Sequence, residues 1–283
     1  MLTVKYKNSR GEVVLSGGGS SPMRLTAIEG LGLAEREYQT ASFAGYDGQE
    51  TVSSKYLARS ITISGDVTAI NAAEELRRAI DVLCAEGYLY ITDGDMSRRI
   101  YCNQVAFPDA ERILRGKIAS FAFQLVCDSP FFEDSEDTSR AIYERVKNIT
   151  TPFTLPMVFG TTVTGASVTV NSRQGAEPIL KIYCKKALES AETVKIVNST
   201  TGKTVTLTHT PQAGETITVD IKNRTAVSSK TGNIISKLTD DTFLSDFKLV
   251  YGINELKASV GSISSGITVE CIFNNNYAEA IIA

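Results

Sequence analysis

Residues 118–139 read IASFAFQLVCDSPFFEDSEDTS, and the character of the chain changes within this stretch. From Phe121 onward, apolar side chains recur at every second position, which predicts a strand with one buried face. A proline, two adjacent phenylalanines and four acidic residues follow. We predict that Phe131 and Phe132 are core aromatics at a strand end. An exposed partner-binding patch is the alternative, and the acidic run is predicted to be a solvated linker.

The overall composition is that of an ordinary globular protein with two domains. The chain has 283 residues, of which 42% are hydrophobic and 22% charged, and its net charge of −3 indicates neither a nucleic-acid nor an anionic-membrane partner. No apolar run approaches the length of a transmembrane helix. The five cysteines form no C-x-x-C pair and no signal peptide is evident. We therefore expect reduced thiols, mostly buried, in a protein made in the cytoplasm.

Residues 71–87, NAAEELRRAIDVLCAEG, predict the one clear helix of the first half. Apolar residues recur at helical spacing. Asn71 is the expected N-cap, and Glu74 three residues later completes a capping box. Gly87 is expected to be a left-handed C-cap. Glu74 and Arg78 form a favourable i, i+4 pair.

The rest of the first half alternates as strands do, and an Asp93-Gly94 hairpin turn joins two of them. Residues 44–50 carry a further turn signal at the end of a long polar stretch. Together with the helix, these strands predict a helix laid on an antiparallel sheet or open barrel. The predicted strands are 1–6, 12–15, 59–67, 87–95, 99–108 and 117–127.

The second half, 151–283, is rich in Thr, Val, Ile, Ser, Asn and Gly and contains no convincing long helix. Many short apolar-alternating segments separated by turn signals predict an antiparallel β-sandwich. The segments are 151–160, 166–172, 177–187, 192–209, 214–228, 233–239, 247–261 and 266–273.

Residue types that carry catalysis are scarce. His209 is the only histidine, so a multi-histidine metal site is excluded, and its position before a Pro/Gly turn predicts a surface residue. Residues 93–95 and 133–137 lack the ligand spacing of a calcium loop. Residues 230–232 and the SGGGSSP loop at 16–22 lack the context of a phosphate loop. The sequence assigns no catalytic, cofactor-binding or metal-ligating residue, and it favours a non-enzyme.

Several stretches, taken in order, resemble the distal tail protein family of phages, also called siphophage tail-component proteins. In the first half, the strand ending DSPFF corresponds to the family's aspartate-proline-phenylalanine ending, with Ser129 inserted before the proline. The resemblance covers nearly the whole chain. The stretches that carry it are YDGQ (46–49), RSITISGDV (59–67), LRRAI (76–80), DSPFF (128–132), NSTTGK (198–203), GETITVDIKNRTAV (214–227) and FKLVYGINEL (247–256).

This resemblance implies a structural component of a phage tail tip or baseplate, without cofactors. Residues 1–148 would be a tail tube-like domain that forms a hexameric ring, and 149–283 a galectin-like β-sandwich. The ring would join the tail tube protein to the tail tip or hub protein and to receptor-binding proteins. The protein would be made in the host cytoplasm and incorporated into the virion. It would neither read nucleic-acid sequence nor insert into a membrane, and no interface residue can be assigned.

The sequence is also compatible with two other functions. The first is a carbohydrate- or host-surface-binding module that reads its ligand through aromatic side chains of the second half. The second is a hydrolase that uses paired carboxylates. The candidate aromatics are Phe153, Phe159, Tyr183, Phe243, Phe247, Tyr251, Phe273 and Tyr277.

Overall fold

A computed structural model describes residues 2–16, 21–45, 47–106, 118–145, 162–185, 193–260 and 266–280. Within these ranges the fold is mainly antiparallel β, as predicted, with one α-helix. The first strands and the helix are β1 Thr3–Asn8, β2 Gly11–Ser16, β3 Met23–Glu29, β4 Arg36–Ala41, β5 Glu50–Tyr56, β6 Arg59–Thr68, α1 Ala72–Leu83, β7 Gly87–Asp93, β8 Met96–Cys102, β9 Gln104–Ala106, β10 Ile118–Cys127 and β11 Phe132–Asp134. The remaining strands are β12 Thr138–Arg145, β13 Thr162–Val163, β14 Gly165–Val170, β15 Ile179–Cys184, β16 Val194–Asn198, β17 Lys203–Leu207, β18 Glu215–Asp220, β19 Thr225–Ser228, β20 Gly232–Asn233, β21 Gly252–Val260, β22 Ile267–Phe273 and β23 Asn276–Tyr277.

The chain folds into two compact units. The first unit contains 1–135 together with 277–283, and the second contains 136–276. The chain therefore leaves the first unit after β11 and returns to it at the C-terminus. The domain boundary predicted between residues 148 and 149 lies outside the described residues.

Two antiparallel sheets and α1 enclose the core of the first unit. The six-stranded sheet has the order β2-β1-β7-β8-β11-β23, and the four-stranded sheet has the order β3-β6-β10-β9. Strands β6 and β10 pair along ten residues and bury every second side chain. The rings of Phe121 and Phe123 stack with their centroids 5.7 Å apart. Burial of one face explains why these strands alternate so clearly in sequence.

The helix α1 forms where its periodicity predicts, but its ends differ from the prediction. Asn71 makes no side-chain cap hydrogen bond. The Glu74 carboxylate instead accepts from Arg78 at 2.9 Å, which confirms the i, i+4 pair. Gly87 is not the left-handed C-cap, because it lies in β7 and its φ is not positive. A Cβ there would come within 2.6 Å of the Lys7 carbonyl oxygen, so this position requires glycine for close strand contact.

The second unit has a single core between two antiparallel sheets. The seven-stranded sheet has the order β13-β12-β22-β15-β18-β19-β20, and the four-stranded sheet has the order β14-β21-β16-β17. Residues 235–237, predicted as part of a strand, form a 3₁₀ turn instead. The predicted strand 151–160 lies outside the described residues.

The thiols mostly behave as small core residues. Four of the five cysteines are buried, as predicted for most of them, and Cys84 at the end of α1 is exposed. Cys102 and Cys127 lie together, with 3.3 Å between their sulfur atoms. No α-helix among the described residues is long and apolar enough to cross a membrane.

Candidate assembly surfaces

The two adjacent phenylalanines of the DSPFF stretch have separate roles. Phe132 opens β11 and is fully buried in the core of the first unit, which confirms the prediction of a core aromatic. For Phe131 the prediction is wrong: it is half-buried outside the core and packs edge-on against the ring of Tyr56, with the centroids 5.1 Å apart. Since Tyr56 ends β5, Phe131 supports the base of the β4–β5 hairpin.

Arg59 is a buried cation that joins three distant segments of the first unit. It is 3% exposed, and its guanidinium lies 4.6 Å from the centre of the Phe132 ring. Its nitrogens donate to four backbone carbonyl oxygens, and burial lowers its pKa. The acceptors are those of Gly30 at 2.5 Å, Gly32 at 2.6 Å, Pro130 at 2.9 Å and Ala278 at 2.6 Å. Arg59 thus fastens the returning C-terminus to the first unit.

The acidic run after Phe132 is only partly the solvated linker that the sequence predicts. Glu133 and Asp134 belong to β11, are half-buried and pair in register with two arginines of β8. The Glu133 carboxylate lies 3.6 Å from Arg99, and Arg98 is 7% exposed beside the C-terminal segment. The prediction fails here because cross-strand arginines compensate the buried acids.

The β4–β5 hairpin, which we call the arm, is the most exposed element of the first unit. The turn signal at 44–50 lies between its strands, but the strands themselves were not predicted. On one face, Glu37 pairs with Lys55 at 2.8 Å, and the Ser53 hydroxyl donates to Gln39 at 2.8 Å. On the other face, Arg36 lies 4.5 Å from the centre of the Tyr56 ring, and the next residue on that face, Tyr38, is 57% exposed.

A groove lies on the first unit where α1 faces β2 and the start of β3. It is open and has a volume of about 460 Å³. Glu12, Glu75 and Arg78 contribute charges to its walls, and the other lining side chains are mostly apolar. The apolar ones are Val13, Val14, Pro22, Met23, Ala79 and Val82. We refer to this feature as the helix groove.

The outer face of the six-stranded sheet carries a cluster of half-buried tyrosines. Tyr88 contacts Tyr101 edge-on at 5.0 Å between centroids and lies 6.2 Å from Tyr90. The Arg99 guanidinium lies 4.9 Å from the Tyr88 ring centre. Tyrosine and arginine are enriched at the energetic centres of protein interfaces, so this face is a second candidate assembly surface.

Three of the eight aromatic residues proposed as a sugar platform are not available for stacking on a ligand of the second unit. Phe247 and Phe273 are core residues of the second unit, and Tyr277 belongs to the first unit, where it lies under Arg98 at 3.9 Å. Phe243 and Tyr251 are more than 60% exposed. Of the remaining candidates, Tyr183 is half-buried, whereas Phe153 and Phe159 lie outside the described residues. A stacking surface within the described part of the second unit would therefore depend on Phe243 and Tyr251.

The single histidine takes part in a buried polar cluster rather than lying free at the surface as predicted. His209 Nε2 lies 2.8 Å from the carboxylate of Glu215, which is 1% exposed. That carboxylate also accepts from the Gln212 N–H at 2.6 Å and from the Ser228 hydroxyl. The carboxylate thus lies between the histidine and the serine, whereas a catalytic triad needs the histidine between them. The cluster links β18 to β19 through hydrogen bonds, and its order does not suit activation of the serine.

The burial of Glu215 could have been predicted from the sequence, because Glu215 lies on the same inward face of β18 as Ile217 and Val219. Burial raises the pKa of Glu215, but hydrogen bonds from Gln212, Ser228 and His209 together outweigh it and leave the pKa lowered. A carboxyl with a lowered folded pKa contributes stability that is present above its unfolded pKa, about 4.3, and is lost as the pH falls through the folded value.

We therefore expect the second unit to lose stability on acidification below about pH 4, and Glu215→Gln to flatten this acid dependence while lowering stability at neutral pH. Thermal unfolding between pH 7 and pH 3, with hydrogen exchange to assign the transition, measures the effect. Asp240→Asn, at an exposed position, is the control. An unchanged acid dependence in Glu215→Gln would contradict the prediction.

No group of three or more His, Cys, Asp or Glu side chains within the described ranges could hold a metal ion.

Three solved structures that superpose on nearly the whole chain are of phage hub and baseplate proteins. The Dit protein of phage SPP1, a paradigm of the hub adsorption apparatus in Gram-positive-infecting phages, superposes with a TM-score of 0.64 at 14% identity, over 98% of this chain and 99% of that chain. A chain of the phage P2 baseplate in its activated conformation with Ca gives 0.53 at 9% identity, over 99% of both chains. The corresponding baseplate structure with Sr gives 0.50 at 9% identity, over 96% of this chain and 98% of that chain.

At such low sequence identity, these TM-scores and coverages show a shared fold along nearly the whole chain. No protein-family model matches the sequence, and no curated protein matches it.

Proposed function

We propose that this protein is a distal tail protein: a structural component of a phage tail tip or baseplate, and not an enzyme. The observation that carries the proposal is the whole-chain likeness to phage hub and baseplate proteins, which spans both units and not one common module. A fold alone does not define a function. In two of these structures, however, the superposition covers 98% or more of both chains, so the likeness is not that of one common sandwich domain.

In this proposal six copies form a ring. A head-to-tail interface that closes on itself generates such a ring. The first unit would be the tail tube-like, ring-forming domain around the tail channel. The second would be a galectin-like sandwich that supports receptor-binding proteins. The ring would join the tail tube protein to the tail tip or hub protein in the virion.

Solution mass by light scattering, followed by negative-stain images of the same peak, tests the proposal. We expect a particle of six times the chain mass of 30.6 kDa, with six-fold symmetry and a central hole. A monomer or dimer over the whole accessible concentration range would overturn the ring.

A further inference from the structure

The arm has one face that no described residue outside the arm covers. Its other face is internally satisfied, since Glu37 pairs with Lys55 and Gln39 accepts from Ser53. On the uncovered face, Tyr38 is 57% exposed, and no hydrogen bond or ring contact of Tyr38 lies within the described residues. The neighbouring Phe43 is 60% exposed.

An isolated two-stranded hairpin is marginally stable in water at best. The arm is anchored at its base, where Tyr56 packs on Phe131 and the Leu57 N–H donates to the Glu35 carbonyl at 2.9 Å. Beyond that base, the strand pairing within the described residues is of β4 with β5 alone. An exposed aromatic on a ribbon that is marginally stable by itself makes this face a candidate for cover by another molecule.

The helix groove has the complementary properties. Its volume of about 460 Å³ is many times the roughly 10–15 Å³ that one water molecule needs on the same measure, so it can take side chains. Its walls carry Glu12, Glu75 and Arg78, all of which are ion-paired. With their partners Lys5 and Glu74 they make three carboxylates and two cations, which leaves one net negative charge. The uncovered arm face carries one positive charge, Arg36, beside its aromatic rings.

We propose that the arm of one copy of this chain docks its Tyr38 face in the helix groove of the next copy. Arm and groove are different surfaces, so the contact is head-to-tail and can propagate until it closes. Tyrosine suits such an anchor because it buries a large apolar body and leaves its hydroxyl at the wet rim. This inference rests on the proposed ring and names the contact that builds it.

Two neighbouring positions of β4 provide a matched pair of variants. Tyr38→Glu places a negative charge on the docking face, against the acidic groove. Gln39→Glu places the same charge one residue further along, on the opposite face, where it can still accept from Ser53. Both positions are exposed, so circular dichroism and thermal unfolding should show both variants folded.

We expect Tyr38→Glu to raise the concentration at which half of the protein assembles by at least about tenfold, as loss of an interface anchor does. Gln39→Glu should assemble as the unaltered chain does. Rings formed equally well by Tyr38→Glu would overturn the docking and leave the ring proposal intact. Equal loss in both variants would also overturn it, since the effect would not be specific to one face. A chain that forms no ring at all would overturn both proposals.

A photo-crosslinking phenylalanine analogue at position 38 locates the contact. Mixed isotope-labelled and unlabelled copies distinguish crosslinks between copies from those within one. We expect crosslinks between copies to peptides of β2 or α1. Crosslinks to another arm, or to the second unit, would overturn the groove as the docking site.

Discussion

Replacing Arg59 by Met is expected to lower the free energy of unfolding of the first unit by at least about 3 kcal/mol. Methionine retains much of the apolar bulk but donates no hydrogen bond. The carbonyl oxygens of residues 30, 32, 130 and 278 would then lose their charged donor in a site that is 3% exposed. Each orphaned buried acceptor costs about 1–3 kcal/mol, and entry of water would recover part of the sum.

Urea unfolding followed by circular dichroism measures this loss, and hydrogen exchange assigns it to residues 1–135. Arg78→Met is the matched control, because the Arg78 side chain is 66% exposed and pairs only with Glu74 and Glu75 at the surface. We expect it to cost less than about 1 kcal/mol. A loss below 1 kcal/mol in Arg59→Met would show that the four carbonyls do not depend on this side chain.

The sequence predicts those strands and helices that bury one face, because the buried side chains recur at a regular spacing. The long pair β6–β10 and the helix α1 each present one buried face, so apolar residues recur every second or every third to fourth position. The Asp93-Gly94 pair was an equally clear signal, because this hairpin turn needs a residue that adopts a positive φ. Gly94 has a φ of 57°. The resemblance in motif order likewise pointed to the fold that the solved structures share.

The arm had no such signal. Both faces of β4 and β5 are exposed, so no alternation between apolar and polar residues was required, and the segment reads as a polar stretch. The role proposed for it depends on a surface of another copy, and such a contact leaves no periodic pattern in the sequence. The candidate docking surface was therefore the part least accessible to sequence reasoning.

Contacts between distant segments were also missed. Nothing local to Arg59 indicates that its acceptors lie up to 219 positions away, at Ala278. The buried role of His209 follows from Glu215 and Ser228 on neighbouring strands, whereas its local Pro/Gly context is typical of a surface turn. Such polar clusters are determined by strand register, which the sequence pattern alone left open.

Phe132→Ala is expected to destabilise the first unit by about 4 kcal/mol, which lowers its melting temperature by roughly 10 °C. The ring is fully buried in the core, so truncation loses its transfer free energy and leaves a cavity. It also removes the aromatic face that lies 4.6 Å from the Arg59 guanidinium. Thermal and urea unfolding measure the loss, with Phe243→Ala, at a 63% exposed position, as the near-neutral control.

The alternative role of Phe132, as a partner contact, gives the opposite pattern. An unchanged melting temperature together with lost assembly would show that the ring acts at an interface and not in the core. The double variant Arg59→Met/Phe132→Ala makes the test sharper. Because the two side chains contact each other, their combined loss should fall short of the sum of the single losses by at least about 0.5 kcal/mol. Strict additivity would mean that the core contact contributes nothing beyond the burial of each residue.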